Sequence, residues 1–253
     1  MKHHGFFLVA ASLMHTALAH MGIYGVWLNG EFRGDGRNVH VRTPASKINS
    51  PAGDTFAPEW FWSERGDFYT GNHKGPLLVY IAPAVTSGPN TPNIWTKLYH
   101  YAYNTTDGYW SDDYFQKNAE ATKGHHFITI PDIPAGDYLV RSEIITLQEA
   151  MYDNGAQHYP SCVQIRVKTN GSAVLPGGVS FPGTYVPLQR GLKWGLGGDD
   201  PSEYPIPGGP VWEGSPGGGI YKLSLLAHPV SATFSRFFVY RLGTITISNG
   251  FNG

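Results

Sequence analysis

The chain has little with which to cross-link itself or to bind by charge. Its 253 residues include a single cysteine, Cys162, so neither a disulfide framework nor a cysteine-rich zinc site is available. Charged residues make up 15% of the chain and the net charge is −1. With no basic run and no acidic tail, this excludes the electrostatic footprint of a nucleic-acid partner or an anionic membrane surface. Long apolar runs are also missing. Beyond the first 19 residues no window offers 18 uncharged apolar residues, so no membrane span is expected. The apolar region Ile220 to Ile247 is broken by Lys222, His228, Pro229, Arg236 and Arg241. No internal repeat occurs, and helical periodicity is confined to a short stretch from Ser111 to Ala121. Neither a zinc HExxH nor a G-x-S-x-G nucleophile elbow is present, and "GLGGDDP" does not join a strand to a helix as a phosphate loop does.

What the chain does have is turn formers and aromatics: 32 Gly, 19 Pro, 13 Phe, 7 Trp and 15 Tyr. Gly and Pro punctuate, while aromatic and β-branched residues favour strands. "GIYGVWLNG" alternates and ends on Asn29-Gly30, a hairpin signal. "PLLVYIAP" reads as a strand buried on both faces. "HHFITIP" and "GDYLVRSEIITL" read as strands joined by a Pro-Ala-Gly turn, and "SCVQIRVK" alternates cleanly. Short strands with turns between them predict an all-β sandwich. At the N-terminus, "MKHHGFFLVAASLMHTALA" has a positive start, an apolar stretch and an Ala-x-Ala junction, the pattern of a secretory signal peptide over 1–19. A glycine-rich break at "GPVWEGSPGGG" separates residues 20–214 from a tail, 215–253. Asn104-Thr105-Thr106 and Asn170-Gly171-Ser172 are N-glycosylation sequons, consistent with a secreted, extracellular protein.

Cleavage after Ala19 would make His20 the first residue, and a terminal histidine offers a metal both an imidazole and a free α-amine. His73, in "TGNHKGPLLVY", stands at the mouth of a strand and taken alone reads as a surface-loop histidine. If "NGAQHYPSC" is extended, Gln157 and Tyr159 point to one face and His158 to the other; taken alone these are core and edge residues. His125 and His126 face opposite sides of a strand and cannot chelate one metal together. Asp112-Asp113 and Asp199-Asp200 read as solvated loop pairs rather than a glycosidase dyad, and Glu143 as half of an internal ion pair with Arg141.

In order along the chain, the Ala-x-Ala junction followed by His20, "VHVRTP", "AGDTFAPEWFW", "HKGPLLVYIAP", "IPAGDYLVRSEIITL", "NGAQHYPSC", "VSFPGTY" and "YPIPGGPVW" resemble the fungal lytic polysaccharide monooxygenases of auxiliary activity family nine, over roughly residues 20 to 214. The resemblance implies an immunoglobulin-like or fibronectin-like β-sandwich with long loops and a flat, copper-bearing face. It implies one Cu(2+) per chain, held by the α-amine and ring of His20 and the ring of His73, with Tyr159 axial and Gln157 hydrogen-bonding near an oxygen-derived ligand. Tyr204, with Tyr24 beside it, would stack on sugar rings; packing against the proline-rich loop is the other reading of Tyr204. The implied activity is oxidative cleavage of cellulose or a related β-1,4-glucan by a secreted monomer, using oxygen or peroxide and an external electron donor.

The chain departs from that family in three places. Gln148 stands where the family usually has a histidine that positions and protonates the oxygen species, and glutamine is no acid at neutral pH. Near residues 50–52 roughly 25 residues are missing by comparison, among them the cysteine that would pair with Cys162. The tail after Gly214 matches neither the catalytic core nor a cysteine-rich cellulose-binding module. These departures leave a second reading open, a catalytically impaired copper- or glycan-binding relative, and a third, a truncated and poorly folded product.

Overall fold

The structure is a computed structural model and describes residues 21–35, 48–50, 52–61, 73–84, 91–117 and 124–220. The signal-peptide expectation, His20 and residues 221–253 of the expected tail lie outside the described residues.

The first hairpin forms where the sequence predicts it. Strand β1, Gly22–Leu28, returns as β2, Glu31–Asp35, through Asn29 and Gly30 at φ 50° and 77°. Left-handed φ at both central residues makes a turn whose twist matches the strands it joins. Strand β3, Ile48–Ser50, is followed closely by β4, Thr55–Phe61. Then come β5, Leu77–Pro83, β6, Thr96–Tyr101, and a short helix α1, Ser111–Lys117. The remaining strands are β7, His126–Thr129, β8, Gly136–Thr146, β9, Gln157–Val167, and β10, Gly218–Ile220.

They form two five-stranded sheets, ordered β10-β7-β4-β1-β2 and β3-β9-β8-β5-β6. All the pairs are antiparallel except β3 with β9. The expected all-β sandwich is present. Between the sheets lies one core, with Leu28, Phe56 and Trp60 from the first sheet facing Leu77, Val79, Ile81, Val140 and Ile144 from the second. A second core covers the outer face of the second sheet. There Leu78, Tyr80, Ala82, Leu139 and Ile145 pack against Trp95, Phe181, Trp194 and Tyr204. Strand β5 thus alternates between two apolar environments, which explains its unbroken apolar run.

Two expectations need correction. Residues 215–220 are not part of a separate tail: β10 extends the first sheet alongside β7, and Ser215 Oγ donates to Leu98 O at 2.6 Å. Asp112 and Asp113 are not solvated either; both are buried in the first turn of α1. Carboxylates there lie next to unpaired helical N–H groups, and Asp113 accepts a hydrogen bond from Trp110 N at 2.9 Å. Asp199 and Asp200 are exposed, as expected.

Candidate metal centre

His73 stands four residues before β5, on a segment held from two sides. On one side Leu147 N donates to Lys74 O at 2.8 Å and Ile145 N to Pro76 O at 3.0 Å. These bonds continue the β8 ladder past the start of β5. Gly75 is required here because a Cβ would lie 1.9 Å from Ile145 O. On the other side Ser111 Oγ donates to Gly75 O at 2.6 Å.

The β8–β9 register brings Tyr159 and Gln157 to the same end. Ile144 pairs with Tyr159 and Thr146 with Gln157. The Tyr159 ring meets the His73 ring edge-on, with centroids 6.0 Å apart at 79°. Its hydroxyl donates to Gln157 Oε1 at 2.7 Å. Burial raises the Tyr159 pKa above the usual phenol value, so the hydroxyl keeps its proton near neutral pH. Gln157 is exposed and His73 half-buried. The structure therefore brings His73, Tyr159 and Gln157 together at one end of the sandwich. Among the described residues no group of three or more His, Cys, Asp or Glu side chains is placed to hold a metal; the third member expected, His20, lies outside them.

The alternation of β9 holds on its other face. His158 points away from Tyr159, and its Nδ1 lies 2.9 Å from Glu143 Oε1. Glu143 is fully buried and also accepts from Arg141 Nη2 at 3.0 Å and Tyr185 Oη at 2.6 Å. Burial pushes its pKa up, but the His158, Arg141 and Tyr185 partners pull it below the ordinary value. The expected ion pair of Arg141 with Glu143 is present. His125 and His126 also diverge as expected. His125 lies against Trp27 and Glu59, whereas His126 is buried between the sheets, bonded to Trp60 and Ser142.

The other expected residues fall elsewhere. Tyr204 is 8% exposed, with its hydroxyl donating to Gly191 O at 2.7 Å and its ring 5.0 Å from both Trp110 and Trp194. A ring enclosed on both sides fits the packing reading of Tyr204 rather than the sugar-stacking one. Tyr24 lies at the bulge where β1 shifts register against β4, and its side chain is outside the described residues. Gln148 is exposed in the turn that follows β8. Asn170 is exposed, whereas Asn104 Nδ2 is engaged by Tyr114 Oη at 3.1 Å.

Sequence reasoning missed Ser111 and Asp112. The signal available was a Ser-Asp-Asp run opening the stretch with helical periodicity, where side chains seek backbone partners. Asp112 is fully buried. Burial and the neighbouring Asp113 push its pKa up to about 7, against the pull of Lys74 and of the Asp113 and His73 N–H groups.

The family model of Auxiliary Activity family 9 (formerly GH61) matches residues 34–204. An AA9 family lytic polysaccharide monooxygenase A of Armillaria gallica is 37% identical, over 86% of this chain and 96% of the relative. One from Phanerochaete carnosa is 35% identical, over 87% and 92%. The Armillaria match runs over 249 aligned positions, yet 86% of this chain is only about 218 residues, so about 31 positions of that relative have no counterpart here. Among solved structures, CvAA9A superposes with a TM-score of 0.69 at 29% identity, covering 78% of this chain and 99% of its own. The extended catalytic domain of H. jecorina LPMO9A follows at 0.64 and 24%, covering 78% and 92%, a likeness of fold.

Proposed function

We infer the function from a premise that these matches supply: the chain belongs to Auxiliary Activity family 9, the lytic polysaccharide monooxygenases. Membership implies a copper-dependent oxidoreductase that cleaves polysaccharides. We propose more specifically that this chain is secreted, works as a monomer, and cleaves cellulose or a related β-1,4-glucan with an external electron donor. The observation that carries this reading is the meeting of His73 with the Tyr159–Gln157 pair at one end of the sandwich.

These residues suit copper. Imidazole is a good ligand for it, and Cu(II) favours a tetragonal, nitrogen-rich plane. His73 would give one ring nitrogen, and His20 its ring and α-amine. An α-amine with a pKa near 7.7–8.0 loses its proton easily enough to coordinate at mild pH. Signal-peptide cleavage would thus create one of the ligands. Copper, when bound, supplies the one-electron redox chemistry by which oxygen or peroxide oxidises a C–H bond beside a glycosidic linkage. Tyr159, protonated and donating to Gln157 Oε1, would leave its phenol oxygen free to face a metal held by His73. Gln157, accepting through Oε1, would have its Nε2 hydrogens available to donate to a small ligand beside His73. The number of unmatched positions in the Armillaria relative supports a shortened chain, which the sequence reading places near 50–52, and Asn170 is the sequon expected to carry glycan, since its side chain is exposed.

The test is electron paramagnetic resonance of the trimmed protein with one equivalent of Cu(II), beside a His73→Ala variant. An axial spectrum with nitrogen couplings that changes in the variant is expected, followed by oxidised oligosaccharides from β-glucan with ascorbate. The same loose-copper spectrum in both proteins would overturn the reading.

Gln148 favours one alternative, an impaired relative that binds copper or glycan without turnover. Exposed at the turn after β8, it can hydrogen-bond but cannot deliver a proton. On that reading, copper uptake or cellulose pull-down persists without oxidised products. Gln148→His then raises product formation by about 10–100-fold, the usual weight of a group supporting a metal ligand.

A further inference from the structure

The turn from β8 to β9 carries an apolar pair in solvent. Met151 is 57% exposed and Tyr152 60%. Among the side chains described, Tyr152 is the one Phe, Tyr or Trp that is exposed. A lone apolar residue at the surface needs no explanation, but an adjacent Met-Tyr pair on a fixed turn does. The turn is fixed by its own backbone and by the core. Tyr152 N donates to Glu149 O at 2.9 Å and Gly155 N to Tyr152 O at 3.1 Å. Ala150 is buried in the second core, and its carbonyl accepts from Trp194 N at 2.8 Å. Both ends of the turn belong to the candidate metal centre. At its start Leu147 N is bonded to Lys74 O, next to His73. At its end stands Gln157, the acceptor of the Tyr159 hydroxyl. Tyr152 is five residues from each, a reach of at most about 18 Å.

A tyrosine offers a broad, rigid apolar face with a hydroxyl at its edge, and ordering it costs little side-chain freedom. A β-1,4-linked glucose ring is its counterpart, with C–H bonds on its faces and hydroxyls around its rim. The rest of the turn suits that rim. Gln148, Asn154 and Gln157 are exposed amides, and Glu149 and Asp153 are exposed carboxylates, the second paired with Lys193. Two carboxylates against one lysine disfavour an anionic partner and leave a neutral polyol.

We propose that Tyr152, with Met151 beside it, is a stacking platform that holds a neutral β-1,4-glucan next to the metal centre. This rests on the reading of the chain as a polysaccharide monooxygenase. Tyr204 then supports the platform from within. It packs on Trp194, the residue whose N–H holds the Ala150 carbonyl of the turn.

The experiment measures binding of the metal-free protein to amorphous cellulose and to xyloglucan, for wild type, Tyr152→Ala, Tyr152→Trp and Leu188→Ala. Tyr152→Ala is expected to bind about 10-fold more weakly, the loss typical of one well-placed contact residue. Tyr152→Trp keeps the stacking face and the affinity. Leu188, 55% exposed but outside this turn, is the comparison, and its alanine variant binds as wild type does. Because Tyr152 stands in solvent, the melting temperature and the glycan-free Cu(II) paramagnetic resonance spectrum stay those of wild type.

Undiminished binding by Tyr152→Ala overturns the proposal. So does a loss that Leu188→Ala shares, which is general apolar adhesion, or a loss that tryptophan does not recover. A lowered melting temperature or altered spectrum in Tyr152→Ala makes the residue structural and also overturns it. A wild-type copper spectrum indifferent to His73→Ala, or wild type that binds neither glycan, refutes the functional reading and this inference with it. Wild type that passes both, with Tyr152 variants binding normally, removes this inference alone.

Discussion

At His126 two neighbours decide a protonation state. Trp60 Nε1 can only donate, and it does so to Nδ1 at 3.1 Å, so Nε2 carries the proton toward Ser142 Oγ at 3.0 Å. The imidazole is neutral, and burial, with help from His125, lowers its pKa to about 3. The unfolded chain takes up that proton below about 6.5. The folded state binds fewer protons between these values, so stability is full above about 6.5 and is lost as pH falls toward 3, by up to roughly 5 kcal/mol. His126→Gln should therefore melt lower at pH 7 but show a flatter fall in melting temperature between pH 6.5 and 4. A variant as steep as wild type would place the acid sensitivity elsewhere. Tyr204 is the other residue whose environment decides its role. Tyr204→Phe removes one buried hydrogen bond and should cost about 1 kcal/mol in chemical denaturation. Cellulose pull-down should not change; a drop with stability intact would restore the sugar-stacking role. The sequence showed that His126 turns away from His125, because strand alternation is local. It could not show Trp60, 66 residues earlier in the chain, nor the two tryptophans that enclose Tyr204.

Elements were legible where one pattern fixed them. The hairpin of β1 and β2 was fixed by Asn-Gly, β5 by its bounding prolines, β8 by the Pro-Ala-Gly turn before it, and β9 by alternation. Strand β4 was less legible because it carries Pro58 inside a central strand. Its ladder to β7 covers Thr55 and Phe56 and resumes only as a bridge from Glu59 to His125, so the proline sits where no bond to β7 is needed. Strand β6 carries Lys97 in the second sheet. That lysine is nearly fully buried, donating to Pro207 O at 2.7 Å and Gly209 O at 2.6 Å, contacts to residues 110 positions or more away. The His73 segment shows how an element can set a ligand's place without touching a metal. Gly75→Ala puts a Cβ against Ile145 O and must push residues 73–76 off β8. The expected result is a loss of roughly 1–3 kcal/mol in stability together with weakened copper binding. Normal copper affinity in the folded fraction would mean that the segment follows His73 and does not direct it.

For the whole molecule the question raised by the proposed shortening near 50–52 is whether the two sheets still close, and among the described residues they do. Ser50 belongs to the second sheet and Thr55 to the first, so four residues make the crossing. Four extended residues reach about 13 Å, enough for sheets packed about 10 Å apart. Gly53 turns the corner at φ 83°, with its N–H donating to Ile130 O at 2.9 Å, and Ala52 N is held by Thr169 Oγ1 at 2.8 Å. Among the described residues the crossing is thus tied just past the ends of both β7 and β9. The far edge of the first sheet is closed by β10, which composition hid: a Gly-rich stretch reads as a linker, yet Gly218 fits because a Cβ there would lie 2.3 Å from Phe127 O. Glycine is used at this edge for close approach, and the domain runs past residue 214. A chain ended after Gly214 loses the β10 ladder, the Thr129 N bond to Gly217 O and the Ser215 bond to Leu98. It should unfold roughly 2–4 kcal/mol more easily than one ended after Ile220, given about 1 kcal/mol for each of several bonds. Equal melting of the two would return residues 215–220 to the tail. A difference of that size would make β10 part of the scaffold that holds β7, and with it His126, against Ser142 and the strand that leads to Gln148.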